Sequence, residues 1–240
     1  MILRQFLHTE PVAASYLVGC GGKGVAAVID PLEHVDPYVR AAAEHGMAVR
    51  YVIDTHVHAD HLSGARRLAD AVGAEYVLGP AAGAAFPFRE AQDGDALELG
   101  NVTLRVLHTP GHTPEHVTLL VVDRTRGAEP WAAFTGHTLM VGDMGRTELA
   151  TTAERGARDL FESAERLHRL PDHVTVFPGA FSGSVCGRGL SGNPVSTVGY
   201  ERRFNRAFAM RDREAFVAHM LRDVPQPPPR AAETRAANLG

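Results

Sequence analysis

Thr55-His56-Val57-His58-Ala59-Asp60-His61 places three imidazoles and a carboxylate within six residues. Imidazole nitrogen and carboxylate oxygen suit zinc, iron, manganese and related ions, so the cluster points to a metal centre without choosing the metal. In a regular strand alternate side chains face opposite ways and these donors could not converge, whereas a strand-to-helix loop could fan them around one cavity. Two more histidines stand in the same setting, beside a glycine just after an apolar run. His112 follows the turn that Pro110-Gly111 imposes, and His137 follows Phe134-Thr135-Gly136. Either alone would read as a solvated residue. Together with the first cluster they predict a centre with His56, His58, His112 and His137 as ligands and with Asp60 and His61 as catalytic groups beside them. His116 is expected on the following strand, near the ligands or in the core. Asp30 and Asp54, at strand ends, are expected to cap loops or support ligands, and Asp143 to be structural.

The elements that must position these residues follow from pattern. Val12 to Val18, a glycine-rich turn and Val25 to Ile29 read as a hairpin ending at Asp30-Pro31. Val35 to His45 has helical spacing and stops at Gly46. Val49 to Ile53 is a short buried strand running directly into the His56 cluster, and Leu62 to Val72 resumes as a helix closed by Gly73. Glu75 to Leu78, Leu97 to Leu99, Val102 to Leu107, Val117 to Val122, Trp131 to Thr135 and Val174 to Phe177 read as strands. Ala153 to Leu170 and Arg213 to Arg222 read as helices, and the Pro/Ala/Arg-rich stretch 225–240 as an extended tail. Alternating β-runs and helices predict a layered α/β protein with helix-covered sheets: one domain over residues 1–224, with the tail outside it.

Composition narrows the function class. A formal net charge of -4 argues against nucleic acid or an anionic membrane surface as partner, since both require concentrated positive charge. No run is long and apolar enough to cross a bilayer, and Met1 to Thr9 lacks the features of a signal peptide. The only cysteines, Cys20 and Cys186, are far apart and in no CxxC spacing, which predicts a reducing, cytoplasmic setting with both thiols buried and inert.

THVHADH, TPGHT, FTGHTLMVGDMGRTEL, FPGAFSGSVCGRGLS and STVGYERRFN together resemble the metallo-β-lactamase superfamily and, within it, the persulfide dioxygenase branch close to the glyoxalase II hydrolases. The resemblance spans nearly the whole chain. It implies a four-layer αβ/βα sandwich with the metal at one edge of two sheets. It further implies one Fe(II), or alternatively Zn(II), acting on a small-molecule thiol persulfide of the glutathione type with O2; a homodimer is compatible with it. Arg146 matches a place where glutathione-using members set a cation against the substrate carboxylate, and Arg188 is a candidate for lining a polar substrate mouth.

Two positions depart from the pattern. His137 stands where the resemblance implies an aspartate, and Ala180 where it implies a late histidine. A binuclear site needs an anionic group between closely spaced dications, which a neutral imidazole does not supply, and Asp60 with His61 are too few for a firm second position. A mononuclear centre is therefore expected. Three neutral imidazoles leave its cation with full charge, which favours an anionic sulfur ligand. The alternatives are a zinc-dependent thioester hydrolase, in which zinc lowers the pKa of bound water, and a degenerate member without turnover.

Overall fold

The computed structural model describes residues 1–224 and 226–240. Strands β1 (Ile2–Thr9), β2 (Val12–Cys20), β3 (Val25–Ile29), β4 (Ala48–Ile53), β5 (Glu75–Leu78) and β6 (Arg89–Glu90) form one sheet in that order. The first three pair antiparallel and β3 to β6 pair parallel. A second sheet takes β7 (Ala96–Leu99), β8 (Val102–His108), β9 (Val117–Asp123), β10 (Ala132–Gly136), β11 (Thr175–Pro178) and β12 (Ser196–Thr197), also in chain order. Only its β10–β11 pair is parallel. Among the described residues six α-helices flank the sheets: α1 (Asp36–Glu44), α2 (Ala65–Val72), α3 (Ala153–Leu167), α4 (Val198–Phe204), α5 (Arg213–Met220) and α6 (Ala231–Leu239). None is long and apolar enough to cross a membrane.

The period-2 alternation of side chains sorts each strand between two cores. Tyr16, Val18 and Ile53 of the first sheet meet Leu104, Leu119 and Phe134 of the second in the central layer. The opposite faces carry Leu17, Val28 and Val52 onto Tyr38 of α1 and Leu68 of α2. On the far side Ala133 and Val176 pack under Leu160 of α3 and Phe216 of α5. The result is the four-layer αβ/βα sandwich, and the loops leaving β3, β4, β8, β10 and β11 gather at one edge of it.

Several elements differ from the sequence reading. Strand β1, helix α4 and the short strand β6 were not expected. The stretch read as an extended tail contains α6, and the boundary drawn at 225 lies outside the described residues. The helix is alanine-rich, which favours helix locally, and it docks against the rest of the chain. Arg235 makes a bidentate pair with Glu115, at 3.0 and 3.1 Å, and donates to Val57 O at 2.9 Å. Asn238 donates to the carbonyls of His58 and His61, both at 2.9 Å, and its Oδ1 accepts from Ser63 N. The C-terminal helix thus braces the histidine loop from outside.

Arg235→Ala strands the Glu115 carboxylate, which is 1% exposed, without its cation. We expect a loss of about 3 kcal/mol in urea unfolding, because a buried charge loses its partner. Arg230→Ala, in an exposed pair with Glu233, should cost less than about 1 kcal/mol.

Candidate metal centre

His56 sits just beyond β4, His112 in the turn after β8, and His137 directly after β10. Gly136 makes the last placement possible. Its φ is +49°, and a Cβ there would lie 2.4 Å from His116 Nε2 and 2.6 Å from Thr55 Oγ1, so only glycine fits. The three rings stand with centroids 4.7 to 4.9 Å apart, all fully or almost fully buried, and one ring nitrogen from each lies within 4.8 Å of the others. His137 Nδ1 is 3.2 Å from His112 Nε2. Two nitrogens each ~2.1 Å from one tetrahedral ion would be about 3.4 Å apart, so this spacing suits a shared cation.

Hydrogen bonds outside the ligand set decide which nitrogens remain free. Thr55 Oγ1 donates to Asp30 Oδ2 at 2.9 Å, so toward His56 Nδ1, 3.0 Å away, it acts as acceptor; this leaves His56 Nε2 with its lone pair. His112 Nδ1 donates to the Arg146 carbonyl at 2.7 Å, which turns its Nε2 lone pair into the site. His58 Nε2 lies 3.3 Å from Asp30 Oδ1, leaving Nδ1 available. Ligating histidines are commonly oriented by such partners. His116 accepts the backbone N–H of His137 at Nε2 and so is a support, not a ligand.

Buried polar atoms without partners identify where a cation belongs. His56 Nε2, His58 Nδ1, both nitrogens of His61 and His137 Nε2 have no hydrogen bond. Leaving such groups buried and unpaired is costly, and a metal ion satisfies them together. The donor set therefore fits a metal. A second group, His58, Asp60 and His61, adjoins the first: Asp60 Oδ1 is 3.1 Å from His61 Nδ1 and 3.8 Å from His58 Nδ1. The expected ligands and catalytic groups do converge, with His58 beside the three-imidazole group rather than in it.

Electrostatics follow from this burial. Burial, with the neighbouring histidines, pushes His56 well below the ordinary imidazole range; burial and His137 bring His112 down to about 3, and burial is the main cause that brings His137 down to about 4. All three are neutral donors at neutral pH. Burial alone would also lower His58, but the hydrogen bond and charge of Asp30, then Asp54 and Asp60, lift it to about 9. Burial would raise Asp60, yet His61, His137 and His58 hold it well below the usual carboxylate range.

The two arginines differ in their surroundings. The Arg146 side chain is buried and engaged by Glu148 and by the carbonyls of Val185 and Gln226; its backbone carbonyl is what serves His112. Arg188 pairs with Asp143 at 2.9 Å and lines a separate cavity of about 580 Å³ with Arg206, His219 and Arg222. Asp143 is structural, as expected. Asp54 accepts from Ser63 and Tyr76, and Asp30 braces Thr55. Cys186 is the residue that sequence reasoning set aside: it is buried, but its sulfur joins Asp60 and His137 in a third cluster of donor atoms. Glu115, Arg235 and Asn238 were also missed, because nothing in their local sequence announces a partner.

The metallo-beta-lactamase superfamily model matches residues 8–179, and the chain belongs to that superfamily. It is 33% identical over 210 residues to a probable metallo-hydrolase of Burkholderia pseudomallei, covering 74% of this chain and 71% of that one. It is 30% identical over 208 residues to the mitochondrial persulfide dioxygenase ETHE1 of Bos taurus, covering 85% and 75%. A metallo-beta-lactamase from Staphylococcus aureus superposes with a TM-score of 0.94 at 36% identity, over 99% of this chain and 72% of that one.

Metal-free protein should lose stability as pH falls from about 6.5 toward 4. In that window the unfolded chain protonates its histidines while folded His112 and His137 stay neutral, so the unfolded state binds more protons. Each such group contributes a slope of about 1.4 kcal/mol per pH unit. His58 acts oppositely: its contribution is complete below about 6.5 and is lost as pH rises through 9. Denaturant midpoints across pH 4 to 9 measure both.

Proposed function

We propose that the chain is a mononuclear iron dioxygenase that oxidises a low-molecular-weight thiol persulfide, of the glutathione persulfide type, to sulfite. The balance is one persulfide, one dioxygen and one water to one thiol and one sulfurous acid, which ionises to sulfite; the outer sulfur is oxidised and dioxygen reduced. One observation carries the reading: three buried neutral imidazoles, His56, His112 and His137, bring one ring nitrogen each to within 4.8 Å of the others. The 30% identity to a persulfide dioxygenase over 85% of the chain supports it.

Ferrous iron held by His56, His112 and His137 would supply open positions for dioxygen and sulfur, as the related facial-triad sites do. The protein's own work is to hold three ligands rigid and to keep the site dry. Asp30 and Thr55 lock the His56 and His58 rings, the Arg146 carbonyl locks His112, and Asp60 stands against His61 and His58. Because the three imidazoles carry no charge, an anionic sulfur is the favoured substrate form. Arg188 is the candidate for lining a polar substrate mouth, at the separate cavity where Asp143 engages it.

Anaerobically purified protein should contain one iron per chain and consume oxygen only when persulfide is added. Stoichiometric zinc with no such uptake defeats the reading. Turnover of an acyl-glutathione without oxygen selects the zinc hydrolase, and metal-free protein inactive in both assays selects a degenerate member. His137→Asp, which adds an anionic ligand, should keep its iron and raise persulfide-dependent oxygen uptake; metal loss in that variant would show that the three-imidazole set is a site of a different kind.

A further inference from the structure

Residues 57–62, which carry His58, Asp60 and His61, belong to no helix or strand, and among the described residues none of them makes a backbone–backbone hydrogen bond. Peptide groups inside a folded chain still need partners, and here these come from the far end of the sequence. Asn238 Nδ2 donates to the carbonyls of His58 and His61, both at 2.9 Å, and its Oδ1 accepts from Ser63 N at 3.0 Å. Arg235 donates to Val57 O at 2.9 Å and holds Glu115, whose Oε1 accepts from Val57 N at 2.9 Å. Three positions apart, Arg235 and Asn238 share one face of α6, so a single helix face serves the backbone on both sides of His58.

The helix itself is lightly held. None of its residues is buried. Leu239 packs against the cluster that contains Tyr38 and Leu68, and its carbonyl accepts from Ala85 N at 2.7 Å. Arg222, Asp223 and Val224, which lead toward it from α5, are exposed. A segment with so little buried apolar area can open while the sandwich stays folded. Opening has a defined cost at the loop: Val57 O, His58 O, His61 O and Ser63 N lose their partners, and the buried Glu115 carboxylate loses its cation. On the inner side of the same loop, His58 Nδ1 and both nitrogens of His61 are buried without hydrogen bonds. An ion that engages them favours from inside the loop shape that α6 favours from outside.

We infer that α6 is a clasp on the metal loop, with Arg235 and Asn238 as positioning residues that set how tightly the centre holds its ion. Neither belongs to the groups of donor atoms at the centre; both act on the peptide groups of the residues that carry those donors. Because the bound ion and the docked helix stabilise one loop shape, their coupling is reciprocal. An ion inside tightens α6, and release of α6 loosens the ion by the same factor. The inference rests on the fit of these histidines to a metal ion and holds whichever reaction the centre performs.

Hydrogen–deuterium exchange of metal-free protein, without and with cobalt(II), reads the coupling directly. The amides of α6 should exchange about tenfold more slowly with cobalt bound, a factor within the usual span of coupling between sites. Amides of β2 and β9 should stay protected in every form, which shows that the sandwich remains folded. Asn238→Ala should weaken cobalt binding by a similar factor, followed by the visible cobalt bands against a competing chelator, and should shrink the cobalt-dependent slowing in α6. Arg235→Lys, which keeps the cation without the bidentate geometry, should lie between wild type and Arg235→Ala in cobalt affinity. Arg230→Ala, on the same helix but in the exposed pair with Glu233, should change neither readout. Cobalt that binds while α6 exchange stays unchanged, or that binds Asn238→Ala as tightly as wild type, overturns the clasp. Loss of protection in β2 and β9 of Asn238→Ala does so too, by making the helix part of the sandwich's own fold. No cobalt binding at all defeats the metal centre itself, and the clasp with it.

Discussion

Imidazole nitrogens buried without hydrogen-bond partners are the constraint on which this structure turns. His56, His58, His61 and His137 each hold at least one such atom. In an apolar medium every unpaired donor or acceptor opposes folding, and a cation satisfies several imidazole nitrogens gathered at one point together. The four layers of the sandwich supply the opposing stabilisation: three apolar clusters hold the strand ends in place while the edge of the sheets carries a site that is unfavourable by itself.

The rings would be of little use if they could rotate or change tautomer. Asp30 settles this from the end of β3, accepting from Thr55 N at 2.6 Å and from Thr55 Oγ1 at 2.9 Å, with His58 Nε2 close by. One carboxylate thereby orients two imidazoles that follow a neighbouring, parallel strand. His116 performs a related task across the sheet, holding the His137 backbone while its other nitrogen meets Thr109 and Thr138. Preorganisation of this kind places ligand atoms before any ion arrives.

Support also comes from beyond the segment that the superfamily model covers. Helix α6 meets the loop through Arg235 and Asn238, and Glu115 relays that contact to the Val57 amide at 2.9 Å. The loop of Cys186 is attached through Arg146, whose role here depends on its backbone as much as on its charge. Both attachments join residues 34 to 180 positions apart in the chain.

Much of this protein was readable from local pattern. Apolar runs with period 2 marked most strands of the two sheets, glycine and proline marked their ends, and His56, His112 and His137 stood out because each followed a strand at a turn. Such signals are local: periodicity, turn chemistry and donor type are properties of a few neighbouring residues. What the tertiary structure alone decided is which distant groups meet. It set His58 beside the three-imidazole group, buried the Arg146 side chain against Glu148, brought Cys186 to Asp60, and docked the C-terminal helix against Glu115. Those outcomes rest on contacts between segments whose own sequences are indifferent to one another, so only the closure of the sheets and the burial of their shared edge could select them.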